Sequence, residues 1–149
     1  MVFTLLLFGL ILQTGTQQQT PAQQPERNSL ALKLEESIKG KENLPAEEVW
    51  KNIKIFNGRP AIQVLRIMEL AYTPGLGVKC SYCHNTEKWE SDEKKPKEIA
   101  RQMSLMLREL NPKLQTITGK DDATVNCTTC HRGDTKPALN LSPRQRTGG

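Results

Sequence analysis

Long apolar runs are missing from this chain. No uninterrupted apolar stretch approaches the ~20 residues that a membrane-spanning helix requires. Aromatic residues make up only 5% of the 149 residues, and the mean hydropathy is −0.56. The length is enough for one domain, but a core built from protein side chains alone would be thin. We therefore expect much of the core to come from bound apolar groups.

Cysteine and histidine are also scarce, with four and two residues, and all of them lie in two copies of one motif. The copies are Cys80-Ser81-Tyr82-Cys83-His84 and Cys127-Thr128-Thr129-Cys130-His131, each of them C-x-x-C-H. The pattern is typical of covalent c-type haem attachment, because two thiols at this spacing can form thioethers to one porphyrin. The adjoining histidine then binds the iron as its proximal ligand. The sequence therefore predicts two covalent haem c groups, bound through Cys80, Cys83, Cys127 and Cys130, with His84 and His131 as iron ligands.

Paired cysteines also occur in zinc sites and in redox dithiols. A zinc site made from the four cysteines gives no reason for a histidine after both pairs. A thioredoxin-like dithiol requires a βαβ context, whereas the flanks of both motifs have helix and loop patterns. We therefore favour two haems and keep a structural zinc module as the weaker alternative.

The lack of a third histidine excludes bis-histidine ligation within the chain, and methionine is the usual alternative sixth ligand. An internal repeat helps to choose among the methionines. Residues 64–70 and 99–105 both have the pattern apolar-x-Arg-x-Met-x-Leu, each on a predicted helix ahead of a motif. A methionine on an apolar helix face is otherwise gap-filling core. We predict Met68 as the distal ligand of the first haem and Met103 as that of the second, with Met106 as the second choice there.

Helical periodicity dominates the middle of the chain. We predict helices over residues 29–39 with Ser29 as N-cap, from Pro45 to before Asn57, from Pro60 to about Tyr72, and from Pro96 to 111–112. The third should end at Thr73-Pro74-Gly75, and each motif should open a short helical turn. The expected fold class is mainly α, with two helix–loop–C-x-x-C-H units and little or no sheet.

The N-terminal region lacks charge, since no charged residue occurs before Glu26. Residues 2–12 are mostly apolar and are followed by small polar residues, which resembles a secretory signal, although no Lys or Arg precedes them. We predict a signal-like segment or weak anchor at 1–16, a disordered tether at 17–28, the dihaem domain at 29–137 and a flexible tail at 138–149. Because c-type haem is attached outside the bacterial cytoplasm, we expect a periplasmic or otherwise exported protein. Only the N-terminal segment would associate with a membrane.

The net charge of the chain is +5. Four lysines follow the first motif: Lys88, Lys94, Lys95 and Lys97. They indicate either a plain solvated face or a patch that steers an acidic redox partner. No nucleic-acid-binding motif accompanies them, so the expected partners are redox proteins.

Several segments resemble the cytochrome c subunit of photosynthetic reaction centres, specifically a two-haem half of that four-haem protein. The similarity runs from about Pro45 to Pro137 and includes residues 46–54 and 76–85. Its most specific parts are Ala100-Arg101-Gln102-Met103 and Cys127-Thr128-Thr129-Cys130-His131-Arg132-Gly133. The resemblance implies that a methionine on the helix before each motif is the sixth ligand, which supports Met68 and Met103. This sequence contains two of the four haem motifs, and short two-haem relatives resemble general exported electron carriers.

The expected function is single-electron transfer by an exported dihaem c-type cytochrome that is not an enzyme. The alternative is a dihaem peroxidase-like enzyme with one open haem site. Such an enzyme would need a distal acid–base group, and no histidine remains for that role.

Overall fold

The structure is a computed structural model that describes residues 28–137, 139 and 140. Within them the chain is mainly helical, and β pairing is limited to the isolated bridges Pro45–Pro60 and Asn85–Lys88. The expected fold class is therefore confirmed. The predicted signal-like segment, nearly all of the tether and most of the tail lie outside the described residues. None of the helices in the described part is long and apolar enough to cross a membrane.

Helix α1, Ser29–Ser37, has Asn28 rather than the predicted Ser29 as its N-cap. The Asn28 side chain accepts a hydrogen bond of 2.9 Å from the backbone N–H of Leu30, which satisfies one of the open donors of the first turn. The helix ends at the buried Ile38, slightly earlier than predicted.

Helix α2 is a single turn, Ala46–Val49, and the predicted continuation to Asn57 is wrong. Its C-cap Trp50 is extended, with φ −105° and ψ 135°. The indole N–H of Trp50 donates to the carbonyl of Ala61 at 3.3 Å. Asn52 has φ 63°, which a right-handed helix does not contain. The hydrogen bond between Trp50 and Ala61 thus ends this helix early, although the spacing of its apolar residues is helical.

The third helical region is longer than predicted and changes its type. Helix α3, Ala61–Ile67, leads into a π-helical segment, Met68–Tyr72, and then into α4, Thr73–Leu76. The predicted stop at Thr73-Pro74-Gly75 is wrong, because Pro74 occupies the first turn of α4, where no intrahelical N–H is required. The region ends instead at Gly77, whose φ is 64°.

Helix α6, Lys95–Thr118, passes through Asn111 and Pro112, where a stop was predicted. A proline inside a helix removes one hydrogen bond, but the Asn111 side chain compensates with tertiary bonds. It accepts from the N–H of Val125 at 2.8 Å and donates to the carbonyl of Val125 at 3.2 Å. Helices α5, Cys80–Cys83, and α7, Cys127–His131, confirm a short helical turn at each motif.

The apolar core lies entirely in the first half of the domain. Its buried residues belong to α1–α3 and the turns between them: Ala31, Ile38, Ala46, Ala61, Val64 and Leu65. From residue 66 to residue 137, the buried residues are Gly75, Lys97 and Arg101, so no apolar side chain is buried there. The half that carries both motifs therefore has no hydrophobic core of its own, as the low apolar content predicts.

Candidate haem sites

The first motif forms the single turn α5. Cys80 and Cys83 are its first and last residues, and both are free and partly buried. The backbone N–H of His84 donates to the carbonyl of Cys80 at 3.0 Å, which closes the turn and places the imidazole directly after the thiols. Burial is the main cause that raises the pKa of the Cys83 thiol. The three side chains that a covalent haem requires thus follow one another on one local element.

The imidazole of His84 is half-buried against Trp89, with ring centroids 5.3 Å apart. Burial is the main cause that lowers its pKa, and the charge of Lys97 acts in the same direction. The ring is therefore neutral near pH 7, which is the form that binds a metal. Its Nδ1 is buried and has no hydrogen-bond partner among the described residues. A hydrogen bond with the backbone of Trp89 acts on the same ring and opposes the lowering of its pKa.

The second motif forms α7 and is held by a capping box. The Asn126 side chain accepts from the N–H of Thr129 at 3.2 Å, and the Thr129 hydroxyl accepts from the N–H of Asn126 at 3.1 Å. The Nδ1 of His131 lies 3.0 Å from the carbonyl of Asp134. In the tautomer that donates this bond, Nε2 is left to bind a metal, an arrangement common among histidine ligands.

The donor set of both motifs fits a covalent haem. Each has two free thiols and one imidazole on a single turn, and each lies in the half that lacks a hydrophobic core. Large apolar side chains of this half are exposed, including Leu70 at 67% and Ile99 at 60%, and a porphyrin could cover such surface. Among the residues that the structure describes, no group of three or more His, Cys, Asp or Glu side chains is arranged to hold a metal ion. The four cysteines are thus not brought together into one such group.

The candidate distal ligands lie on the helices that the repeat predicts. Met68 begins the π-helical segment and Met103 lies on α6, and both are half-buried. Met106 is more exposed, at 43%. Helix α6 contacts α5, and the π-helical segment contacts α7, so each methionine-bearing helix packs on the motif of the other predicted unit. Iron ligation by these methionines stays a prediction.

The arginines of the repeat have equivalent roles. Arg66 forms ion pairs with Glu35 at 3.0 Å and with Glu69 at 3.4 Å. Arg101 pairs with Asp92 at 2.8 Å and with Glu98 at 3.0 Å. Each arginine, two residues before its methionine, thus ties the methionine-bearing helix to a neighbouring segment.

A charged cluster behind the first motif was not predicted from the sequence. The carboxylate of Asp92 pairs with Arg101 at 2.8 Å, with Lys54 at 2.8 Å and with Lys97 at 3.3 Å. It also accepts from the amide of Asn52 at 2.9 Å. These contacts fix the loop after His84 to α6 and to the segment after α2. The sequence had already singled out Arg101 as part of the segment Ala100-Arg101-Gln102-Met103. Its partner Asp92 could not be predicted from the residues next to it.

The burial of Lys97 corrects the predicted basic patch. Lys97 is only 8% exposed, and its ammonium donates to the carbonyls of Trp89 and Ser91 at 2.8 Å each. It therefore ties α6 to the loop after His84 and cannot face a partner. Lys88 and Lys95 are exposed, and Lys94 is partly exposed and donates to the carbonyl of Ser81. These three lysines are what is left of the predicted patch.

Replacing Asp92 with asparagine is expected to lower the stability of the holoprotein by about 1–2 kcal/mol. The change leaves the buried Lys97 and Arg101 without their shared carboxylate, while partial exposure of Asp92 moderates the loss. The pKa of Asp92 is held well below its usual range, chiefly by hydrogen bonds from Lys54 and Asn52. This stabilisation is present above the unfolded pKa of about 3.9 and is lost as the pH falls toward the folded value.

Urea denaturation of both proteins at several pH values would check this. The difference in free energy of unfolding should be largest near neutral pH and should shrink below about pH 4. A difference that does not change with pH would contradict the assigned role of the carboxylate.

Gly75, Gly77 and Gly133 allow the segments of the second motif to pack closely against the segment that precedes the first motif. The N–H of Gly133 donates to the carbonyl of Gly75 at 3.0 Å. A Cβ at Gly75 would lie 3.0 Å from the Cβ of Cys127, and a Cβ at Gly77 would lie 2.0 Å from the carbonyl oxygen of Gly133. The structure shows a close backbone approach that joins the two motif segments.

Comparison with known proteins agrees with this geometry. The family model described as photosynthetic reaction centre cytochrome C subunit matches residues 8–145. Cytochrome c-554 of Chloroflexus aurantiacus is 32% identical over 81 residues, which cover 54% of this chain and 20% of that protein. The photosynthetic reaction center cytochrome c subunit of Thermochromatium tepidum is 31% identical over 94 residues, or 62% of this chain and 22% of that protein.

The chain thus spans about a fifth of the length of these two relatives. The family match, in contrast, extends over most of the chain and includes both C-x-x-C-H motifs. It confirms the resemblance seen in the sequence and supports covalent haem as the cofactor and electron transfer as the role. This protein is a c-type cytochrome that belongs to the photosynthetic reaction centre cytochrome c subunit family.

Proposed function

We propose that this protein is an exported dihaem cytochrome that carries single electrons between redox proteins. The observation that supports this best is the pair of complete motifs, each on one turn with two free thiols and an adjoining imidazole. Both lie in a half of the domain that buries no apolar side chain of its own. Two covalent haems would supply the missing apolar surface and the redox centre together.

In this proposal each bound haem supplies a reversible one-electron Fe(II)/Fe(III) couple. Cys80 and Cys83 would hold one haem, and Cys127 and Cys130 the other. His84 and His131 would supply the imidazole nitrogens for the iron. Met68 and Met103 would supply thioethers, which raise the reduction potential relative to a second histidine. Ligation by both an imidazole and a thioether would leave no open position for a small molecule, which favours electron transfer over catalysis.

The proposed partners are redox proteins with an acidic docking face. Lys88 and Lys95 are exposed near the first motif, and the net charge of the chain is +5. Such charges increase association rates with acidic surfaces and lose this effect as salt screens them. Export is proposed from the apolar segment at residues 2–12, since covalent haem attachment takes place outside the bacterial cytoplasm.

The mass of the purified holoprotein is expected to exceed that of its polypeptide by two covalently bound haems. Replacing Cys80 and Cys83 together with serine should remove one haem, because both thioethers of that site are lost. Replacing Cys127 and Cys130 together should remove the other. Intact mass spectrometry under denaturing conditions would measure this directly.

Cys-to-Ser replacement at both motifs is the matched control and should yield a protein without covalent haem. An unmodified protein that carries one haem, or that carries zinc in place of haem, would contradict the proposal.

A further inference from the structure

Tyr72 links the two helices that carry the proposed distal ligands. It is the last residue of the π-helical segment that begins at Met68. Its hydroxyl forms a hydrogen bond with the hydroxyl of Ser104, and Ser104 directly follows Met103 on α6. Short π-helical segments are rare and frequently occur at functional sites. One side chain thus connects the methionine segment of the first unit to that of the second.

The direction of this hydrogen bond follows from the other contacts. The Ser104 hydroxyl donates its only proton to the carbonyl of Ala100 at 2.8 Å. It therefore accepts from Tyr72, whose hydroxyl is the donor. The pKa of the Tyr72 phenol is raised, chiefly because burial disfavours the charged form. The phenol keeps its proton at neutral pH and remains a donor.

The segment that ends at Tyr72 packs on the second motif. Met68–Tyr72 contacts α7, which carries that motif. Cys127 and Cys83, one cysteine of each motif, also raise the pKa of Tyr72. Tyr72 thus belongs to a segment that contacts the second motif and is bonded to the residue next to Met103.

We propose that Tyr72 is a positioning residue shared by the two haem sites. Its hydroxyl fixes Ser104, and through Ser104 it fixes the placement of Met103 relative to the segment that carries Met68. Ligation of the second haem is thereby coupled to the helix of the first unit. Tyr72 itself undergoes no change of redox state. The inference rests on the proposed function, because it concerns the axial ligands of two bound haems.

The test uses carbon monoxide binding to the reduced holoprotein, together with a redox titration. The spectral changes caused by Met68→Ala and Met103→Ala first identify the two haems. Tyr72→Phe keeps the ring and removes the donor. We expect it to allow partial carbon monoxide binding, which the parent lacks, at the haem that Met103→Ala opens, and to lower the reduction potential of that haem alone.

Ser104→Ala should reproduce this change, and the double variant should show no more than either single variant, because both remove the same bond. Ser104→Thr keeps the hydroxyl and should behave as the parent. Thr116→Val is the matched control, since Thr116 also lies on α6 and donates to the carbonyl four residues earlier, at 2.9 Å. It should leave both haems unchanged.

The inference is overturned if Met103→Ala opens a haem while Tyr72→Phe leaves both haems as in the parent. It is also overturned if Thr116→Val has the same effect as Ser104→Ala. If Met103→Ala opens neither haem, the proposed ligand assignment fails and this inference fails with it. Whether Met103→Ala opens a haem therefore distinguishes a failure of the ligand assignment from a failure of this inference alone.

Discussion

Alanine at position 103 is expected to open one haem of the holoprotein to external ligands. The cysteines should still hold the porphyrin covalently, but the iron loses its proposed sixth ligand and becomes five-coordinate or water-bound. Its reduction potential should fall, because thioether ligation stabilises the reduced iron. Reduced Met103→Ala should bind carbon monoxide at one haem, whereas the parent should bind it at neither. Met68→Ala should do the same at the other haem.

Met106→Ala is the matched control on the same helix. Full burial would make such a truncation cost about 2–5 kcal/mol, but Met106 is 43% exposed, so we expect a loss of about 1 kcal/mol or less. Its visible spectrum should match that of the parent. If Met106→Ala changes the haem spectrum and Met103→Ala does not, Met106 is the ligand. If the parent itself binds carbon monoxide, one haem has an open site and peroxidase-like chemistry becomes the better account.

The cofactor-binding motifs could be predicted from the sequence because their chemistry is local. The two thiols and the imidazole of each motif lie within five consecutive residues, and the structure places each set on one turn. The mainly helical fold class follows from periodicity for the same reason. The repeat also persists in three dimensions, since Arg66 and Arg101 both anchor their helices through ion pairs.

Features that depend on distant partners could not be predicted. Helix α2 stops early because the indole of Trp50 bonds to Ala61, eleven positions away in the chain. Lys97 is buried because carbonyls of the loop that contains Trp89 surround its ammonium. Its sequence neighbourhood, rich in lysine, indicated a solvated face instead. Local patterns specify which residues can form a helix or bind a haem, whereas tertiary hydrogen bonds decide where helices end and which charges are buried.

Gly77→Ala is expected to destabilise the holoprotein by about 3 kcal/mol or more, which would be among the larger effects of a single substitution. Gly77 has φ 64°, and an L-residue in this region costs about 1–2 kcal/mol. The added Cβ would also lie 2.0 Å from the carbonyl oxygen of Gly133. That oxygen belongs to the backbone, so a side-chain rotation cannot relieve the overlap. The segment that follows the second motif must move away from the approach to the first.

Gly119→Ala separates the two contributions. Gly119 has nearly the same φ, 66°, but a Cβ there would meet nothing within 4 Å. This variant should therefore lose only the conformational contribution, about 1–2 kcal/mol. Urea denaturation of the three holoproteins would measure the difference, and circular dichroism in the Soret region would report any change in the arrangement of the two haems. Equal losses in Gly77→Ala and Gly119→Ala, with an unchanged Soret signal, would show that the glycine contact does not hold the two motifs together. A clearly larger loss in Gly77→Ala, accompanied by a changed Soret signal, would establish this backbone contact as the element that fixes one haem site against the other.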